Sequence, residues 1–458
     1  MTISRTGRRS FLKFLFAVAG IATAVRPRPG RAQSLSDISV VIVGAGIAGL
    51  GAARLLADEG VQVTVVEAKP HIGGRLLTDW SMGAPFEVGA GWIHGPEEDN
   101  PTRQLADDVD ARYVVTDDDN AVYYHADGRP FTEGDYEDAE DAWDSVIYFI
   151  DENLEENDPA SLYDVIRRYN SSYLDDPRVK WVFSAWTEFS KGGPIEDLSA
   201  PLFYADKAFD GDDVVVTTGY DEILKPLAEG LDIRLSETVT DIWHDEDDGV
   251  EVTTDKGAIE ADYCICTVPL GVLKAGKVAF DPELPERHQK AIDRLGFGSV
   301  TKIALKFPEP FWDTDTQYFG IVTEPKGRWN YWLSYRTFSD ENILLGVSVG
   351  AYAPVADRMS DAEMTADALD VLRQVWGDAV GEPVQVLATH WSQDPETLGA
   401  YTYPTPGSRK SDFNRLGKPL EDVLILAGEH TIFDYAGTTH GAYMTGIRAA
   451  EYILDEES

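Results

Sequence analysis

Residues 38–67 read ISVVIVGAGIAGLGAARLLADEGVQVTVVE, and this stretch decides the fold. Ile38–Val43 is a short apolar strand pattern, Leu50–Asp58 reads as a helix, and Val61–Glu67 as a second strand. Strand, helix and strand in this order make a βαβ unit, which belongs in a parallel sheet. Between the first strand and the helix stand Gly44, Gly46 and Gly49. The first permits a tight turn, the second lets the backbone approach a pyrophosphate, and the third lets helix and sheet pack closely. The helix N-terminus offers free N–H groups and partial positive charge to phosphates. Glu67 closes the second strand, where a carboxylate accepts hydrogen bonds from ribose hydroxyls and repels a 2′-phosphate. Such a glycine pattern is weak alone and strong when framed by strand, helix and acid.

The next segment separates FAD from NAD. His71-Ile-Gly73-Gly74-Arg75 follows the acid closely, and Arg75 can set a planar cation on the pyrophosphate. Further along, residues 136–157 carry an apolar stripe at spacings of three and four (Ala139, Trp143, Val146, Ile147, Ile150, Leu154), which predicts an amphipathic helix with an acidic outer face. Ser360 and Glu363 form a capping box for a helix to about Trp376. Ser299–Phe307 alternates like a strand, Val423–Ala427 is a short buried strand, and Gly441–Leu454 a final helix. Strand–helix alternation at both ends of the chain predicts a discontinuous cofactor domain interrupted by a substrate domain. No internal repeat is present.

The chain has 458 residues, 43% hydrophobic and 26% charged, enough for two or three globular domains. Its first 32 residues hold seven Lys/Arg and no acid. Arg8 and Arg9 are followed by an apolar run from Phe14 to Val25 and by a small-x-small pattern ending at Ala32. This order predicts a twin-arginine signal over residues 1–32, export of a folded protein to the periplasm or beyond, and no integral membrane segment after its removal. The net charge of −41 would become −48 without that segment (32 basic against 80 acidic residues). Such a field opposes nucleic acid and anionic membranes, attracts cations including polyamines, and also serves solubility in high salt. Cys264 and Cys266 alternate in an apolar strand pattern with no His/Cys cluster nearby, so they read as core thiols, neither disulfide nor metal ligands.

Four further blocks carry a family resemblance: PheGluValGlyAlaGlyTrpIleHisGly (86–95), CysThrValProLeuGlyValLeuLys (266–274), GlyPheGlySerValThrLysIleAlaLeuLysPhe (296–307), and GlyGluHisThr (428–431) running to ThrThrHisGlyAla (438–442). With the glycine motifs, they make residues 38–456 resemble the flavin-containing amine oxidases, nearest to the polyamine oxidases of the acetylpolyamine and spermine oxidase type. The resemblance implies an α/β fold with a Rossmann-like, glutathione-reductase-type FAD domain (37–103, 204–298 and 407–456) and a discontinuous α+β substrate domain (104–203 and 299–406).

The resemblance also implies roles. Lys302 matches the lysine that holds a water near flavin N5; by periodicity alone it is an ordinary strand lysine on the face of Val300 and Ala304. His94 matches a histidine that contacts the substrate. Glu188 and Ser190 fall where the group has an acid and a hydroxyl near the distal substrate nitrogen. Tyr401, with Tyr403 beside it, matches one wall of the aromatic cage before the flavin, while Thr438 stands where some relatives carry the other wall. That departure leaves a half-cage and disfavours a simple monoamine. Ala400 stands where covalently flavinylated relatives carry cysteine, so FAD should be non-covalent. Trp92 stands where amino-acid oxidases carry a carboxylate-binding arginine. Cofactor contacts fall on Gly44, Gly46, Gly49, Glu67, Gly74, Arg75, Gly91, Trp92, Val239 and Trp391, and on Gly428, Glu429, Thr438 and Thr439 near the C-terminus. The C-terminal helix should aim its dipole at the flavin N1/C2 edge. The reaction so implied is hydride transfer from an amine, most simply a polyamine, to flavin N5, with imine hydrolysis and reduction of O2 to hydrogen peroxide. Oxidation of another exported amine, aromatic or nicotine-type, an NAD-dependent dehydrogenase, and a non-catalytic flavin-binding module remain as alternatives. Oligomeric state is not legible.

Overall fold

The computed structural model describes residues 34–458, so the predicted signal lies outside the described residues. Ser39–Val43 occupies the middle of a five-stranded sheet with the order Leu424–Leu426, Tyr263–Cys266, Ser39–Val43, Gln62–Val66, Asp232–Arg234, every neighbouring pair parallel. Its central strands are buried on both faces, which is why they read as continuous apolar runs. Cys264 and Cys266 are free thiols buried in this core.

The helix after the first strand spans Ile47–Asp58, three residues earlier than its apolar pattern suggests, because Gly46 in extended conformation serves as its N-cap. Two close approaches fix it. A Cβ on Gly49 would lie 2.0 Å from the Gly44 carbonyl oxygen, and Gly44 itself has φ +104°, open to glycine at little cost. On the helix's other side lies the C-terminal helix Thr439–Glu456, where a Cβ on Gly446 would lie 2.0 Å from the Ala48 oxygen. The two helices therefore start side by side at one edge of the sheet.

A four-stranded sheet (Gly257–Ala261, Gly249–Thr254, Val239–Asp245, Ala279–Asp281) flanks this layer. A six-stranded sheet runs in the order Gln385–Ala388, Thr301–Lys306, Ile343–Ser348, Tyr331–Ser334, Tyr318–Ile321, Ala121–Tyr124, with only its last pair parallel. Thr301–Lys306 is buried on both faces, with Ile303 and Leu305 against Met364, Leu369 and Leu372, and Ala304 among Phe86, Met82 and Leu345. The covering helix Asp361–Trp376 carries the Ser360/Glu363 capping box. The acidic helix spans Glu133–Asn153, earlier at both ends than its stripe suggests. Thr132 and Asp135 cap its start, and Leu154 turns extended at its end. It packs with Leu162–Asn170 and Pro177–Val182 around Val146, Leu162, Ile166 and Phe183, and the chain then winds into a π-helix over Phe183–Glu188. No helix among the described residues is long and apolar enough to cross a membrane.

Candidate active site

The two glycine-fixed helix starts open into one cavity of about 1230 Å³, larger than the roughly 300–1,000 Å³ of a typical small-ligand site. At one end its wall is Gly44, Gly46, Glu67, Gly74 and Arg75, with Val239 beside them. No side chain caps the N-terminus of Ile47–Asp58, so its first N–H groups face this space unpartnered by a cap. The Glu67 carboxylate is held by the Ala45 N–H (2.7 Å) and the Lys69 N–H (2.8 Å), and burial holds its pKa above the usual range despite these bonds. Gly49 is not part of the wall; it acts through packing, as its position in the motif implies.

In the middle, Arg75 bonds the Ala400 carbonyl oxygen (2.7 Å) and the buried Glu429 carboxylate (2.9 Å). Burial raises the Glu429 pKa, but Arg75, His430 and the Thr402 N–H outweigh it, and the net shift is downward. Gly428, Glu429, Thr438 and Thr439 line the cavity, as do Gly91, Trp92 and Trp391. The Thr438 hydroxyl is committed to capping the C-terminal helix: it accepts from the Gly441 N–H (3.0 Å) and donates to Tyr435 O (2.8 Å). Ala400 presents no thiol to this wall.

Lys302 is a further cation lining the cavity. Its strand sends it to the cavity side, where the ammonium is almost fully buried and donates to the carbonyl oxygens of Glu87 (3.1 Å) and Gly89, 5.7 Å from the centre of the Trp92 ring. Burial pulls its pKa down to about 8, with Glu87 opposing. Glu87, buried beside it and bonded to the Tyr220 N–H and Thr78 hydroxyl, is pushed up to about 8 by burial. Glu87 was missed from the sequence although it stands in the 86–95 block.

The far end is an aromatic chamber. Tyr401, whose hydroxyl donates to Phe189 O, faces a wall of Trp92, Phe189, Tyr318 and Tyr331, with Trp92–Phe189 and Phe189–Tyr331 centroids each 6.0 Å apart. Ser190, His94, Asp118, Asp119 and Asp213 also line it.

Two expected substrate contacts are not brought to this cavity. Glu188 ends the π-helix with its side chain turned inward and fully buried, accepting from Lys326 Nζ (2.6 Å) and the Ile195 N–H (2.9 Å). It is an internal counter-ion, because Lys326 already supplies the cation that a substrate would bring. Tyr403 is core: its strand pairs with Gly296–Phe297, and its ring fills the space left by Gly193 and Gly296. Tyr401 lies two residues earlier, outside the Thr402–Tyr403 strand, and is free of its alternation; it lines the cavity instead.

The family model described as "Flavin containing amine oxidoreductase" matches residues 47–454. The chain belongs to that family. It is a flavin amine oxidase, an enzyme whose cofactor is FAD. Over 444 residues it is 32% identical to polyamine oxidase 4 of Oryza sativa subsp. japonica, covering 92% of this chain and 89% of that one. Over 448 residues it is 33% identical to lysine-specific histone demethylase 1 homolog 2 of the same rice, covering 93% of this chain and 58% of that one. A solved structure of putrescine oxidase bound to putrescine shares the fold with a TM-score of 0.74 at 22% identity, over 91% of this chain and 99% of that one. The oxidase's cavity fits its cofactor on structural grounds: uncapped helix N–H groups suit a pyrophosphate, and the volume suits a dinucleotide with room beyond.

Removing Lys326 tests the reassignment of Glu188. Lys326→Met strands a fully buried carboxylate and should lower stability to chemical denaturation by about 3–5 kcal/mol, whereas Lys326→Met/Glu188→Gln should recover much of the loss.

Proposed function

We propose that this flavin amine oxidase oxidises a cationic amine with a second positive charge, most simply a polyamine, using non-covalent FAD and molecular oxygen. The observation that carries the reading is the chamber beyond Lys302: aromatic walls end in Asp118 and Asp119, carboxylates with no basic side chain in salt-bridge range among the described residues. Partial desolvation, then Asp213, Asp117 and further acidic neighbours, raise the Asp118 pKa. A group so crowded by like charge is relieved by a cation. Polyamine oxidase relatives and the acidic surface field support the same substrate class.

The residues named 37–103, 204–298 and 407–456 would hold the cofactor, and 104–203 and 299–406 would shape the substrate chamber. Gly44, Gly46 and the first turn of Ile47–Asp58 would receive the pyrophosphate, Glu67 the ribose, and Val239 the adenine through its backbone. Arg75 and Glu429 would hold the central part, and the Thr439–Glu456 helix start would favour negative charge at the ring. Ala400 supports non-covalent attachment, since it offers no nucleophile. Bound FAD supplies the two-electron chemistry: a hydride taken from the carbon beside nitrogen leaves an imine that water hydrolyses, and the electrons pass to O2 as hydrogen peroxide. Tyr401 and the facing aromatics orient the amine and exclude water. Lys302, held on two carbonyl oxygens, places a proton-bearing cation at the centre of the cavity, where it positions water and stabilises negative charge passing to oxygen. His94 contacts the substrate nitrogen. We extend the proposal to export: Arg8, Arg9 and the apolar run after them support twin-arginine delivery of the folded, cofactor-loaded enzyme.

Spermine, spermidine, acetylspermine and putrescine should release hydrogen peroxide from the yellow enzyme; silence with all four and with aromatic amines, FAD intact, would favour a binding module. Lys302→Met should keep FAD and slow oxygen consumption by reduced enzyme by roughly 10²-fold or more. In the parent enzyme that rate should fall as pH rises through about 8, where Lys302 loses its charge, and the fall should be missing in the variant. Asp118→Asn should raise KM about fivefold for diamines and polyamines, as for a partly exposed pair worth ~1 kcal/mol, and leave KM for monoamines unchanged. Replacing Arg8 and Arg9 with lysine should retain the enzyme in the cytoplasm, read by cell fractionation.

A further inference from the structure

The rim of the chamber is built on a small three-stranded sheet in the order Trp92–Ile93, Val214–Val216, Tyr113–Val115. Its antiparallel register pairs Trp92 with Val215 and Ile93 with Val214, so the next residues across the ladder are His94 and Asp213. On the other side, Val115 pairs with Val214, and the Thr116 N–H and hydroxyl both bond Asp213 O (2.8 and 2.9 Å). Asp213 is thus held through its backbone oxygen by Thr116. Its carboxylate meets His94 Nδ1 through Oδ2 (2.5 Å) and the Gly95 N–H through Oδ1 (3.2 Å). A carboxylate only accepts, so it selects the imidazole tautomer with hydrogen on Nδ1. The lone pair then lies on Nε2, which bonds to no protein group among the described residues, and both residues face the cavity.

We propose that Asp213 is a positioning residue that holds His94 as the Nδ1–H tautomer, so that Nε2 takes the proton an ammonium substrate must lose before its C–H bond can be oxidised. This rests on the amine-oxidation reading above. The step balances: the N–H bond of the ammonium breaks, an Nε2–H bond forms, the amine keeps the electron pair needed for imine formation, and the imidazolium keeps its Nδ1–H bond to Asp213. The carboxylate opposes the imidazolium charge, and the Gly95 N–H on its other oxygen, with Thr116 on its backbone, fixes it in place.

Other charges face this pair. Asp212 adjoins Asp213, and Asp117, Asp118 and Asp119 follow the Tyr113–Val115 strand. His440 lies against the pair from the C-terminal helix; burial lowers its pKa to about 3, with His94 adding to the shift, so it stays neutral in the working range. Tyr318 feels Asp213 from the six-stranded sheet, and Lys302 titrates deeper in the cavity on the alkaline side.

The test uses the FAD-loaded enzyme and anaerobic rapid mixing with spermine, which reports flavin reduction separately from the reaction with oxygen. Asp213→Asn should lower the second-order reduction rate roughly 10- to 100-fold near neutral pH and move its acid limb to lower pH, while Asp213→Glu restores most of both. Nitrogen-15 spectra of the histidine rings, with His94 assigned by loss of its signals in His94→Gln, should report Nδ1–H for neutral His94 in the parent enzyme and Nε2–H in Asp213→Asn. An unchanged rate and limb in Asp213→Asn, or an Nε2–H tautomer in the parent, overturns the proposal. A parent enzyme that no amine reduces overturns the substrate reading instead, and the ring spectra still decide the role of Asp213.

Discussion

Close approach between backbones is the constraint on which the rest of this structure depends. Gly49 lets the Ile47–Asp58 helix lie on the Gly44 turn, and Gly446 lets the C-terminal helix lie on the Ala48 carbonyl. Neither contact leaves room for a Cβ. Together they bring two helix N-termini to one edge of the parallel sheet, although 392 residues of chain separate the starts of Ile47–Asp58 and Thr439–Glu456. Two partial positive charges then converge on a single cavity, one suited to phosphate and the other to a ring that gathers negative charge.

A second theme is how the molecule places charge where water is excluded. Lys302 is buried on a strand with two covered faces, and it is tolerated because carbonyl oxygens receive its protons and Glu87 stands nearby. Glu429 is kept ionised by Arg75 across the cavity. Glu188 is matched by Lys326 inside the wall. Asp118 and Asp119 differ from all of these in having no basic partner among the described residues, and they line the cavity. Internal pairs hold the architecture, while these carboxylates carry the proposed selection of a cation.

The π-helix Phe183–Glu188 joins the two themes. Within it Ala185, Trp186 and Thr187 line the cavity, whereas Glu188 is buried away from it. Glu188 was expected at the substrate from the family resemblance alone, and the structure instead pairs it with Lys326.

The sequence by itself determined the βαβ unit, the parallel sheet, the glycine turn and the helix capped by Ser360. These follow from local rules, since turn conformation, capping and strand burial are set by residues within a few positions of one another. Helix starts moved where a cap lay outside the apolar pattern, and strands came out one or two residues shorter at their ends. Tertiary structure alone decided which charges meet. Asp213 reaches His94 across 119 residues through strand register, Lys326 reaches Glu188 across 138, and Glu87 comes beside Lys302 across 215. No local pattern encodes such meetings, because the energy of a charge depends on the partner and the solvent that the completed fold places around it.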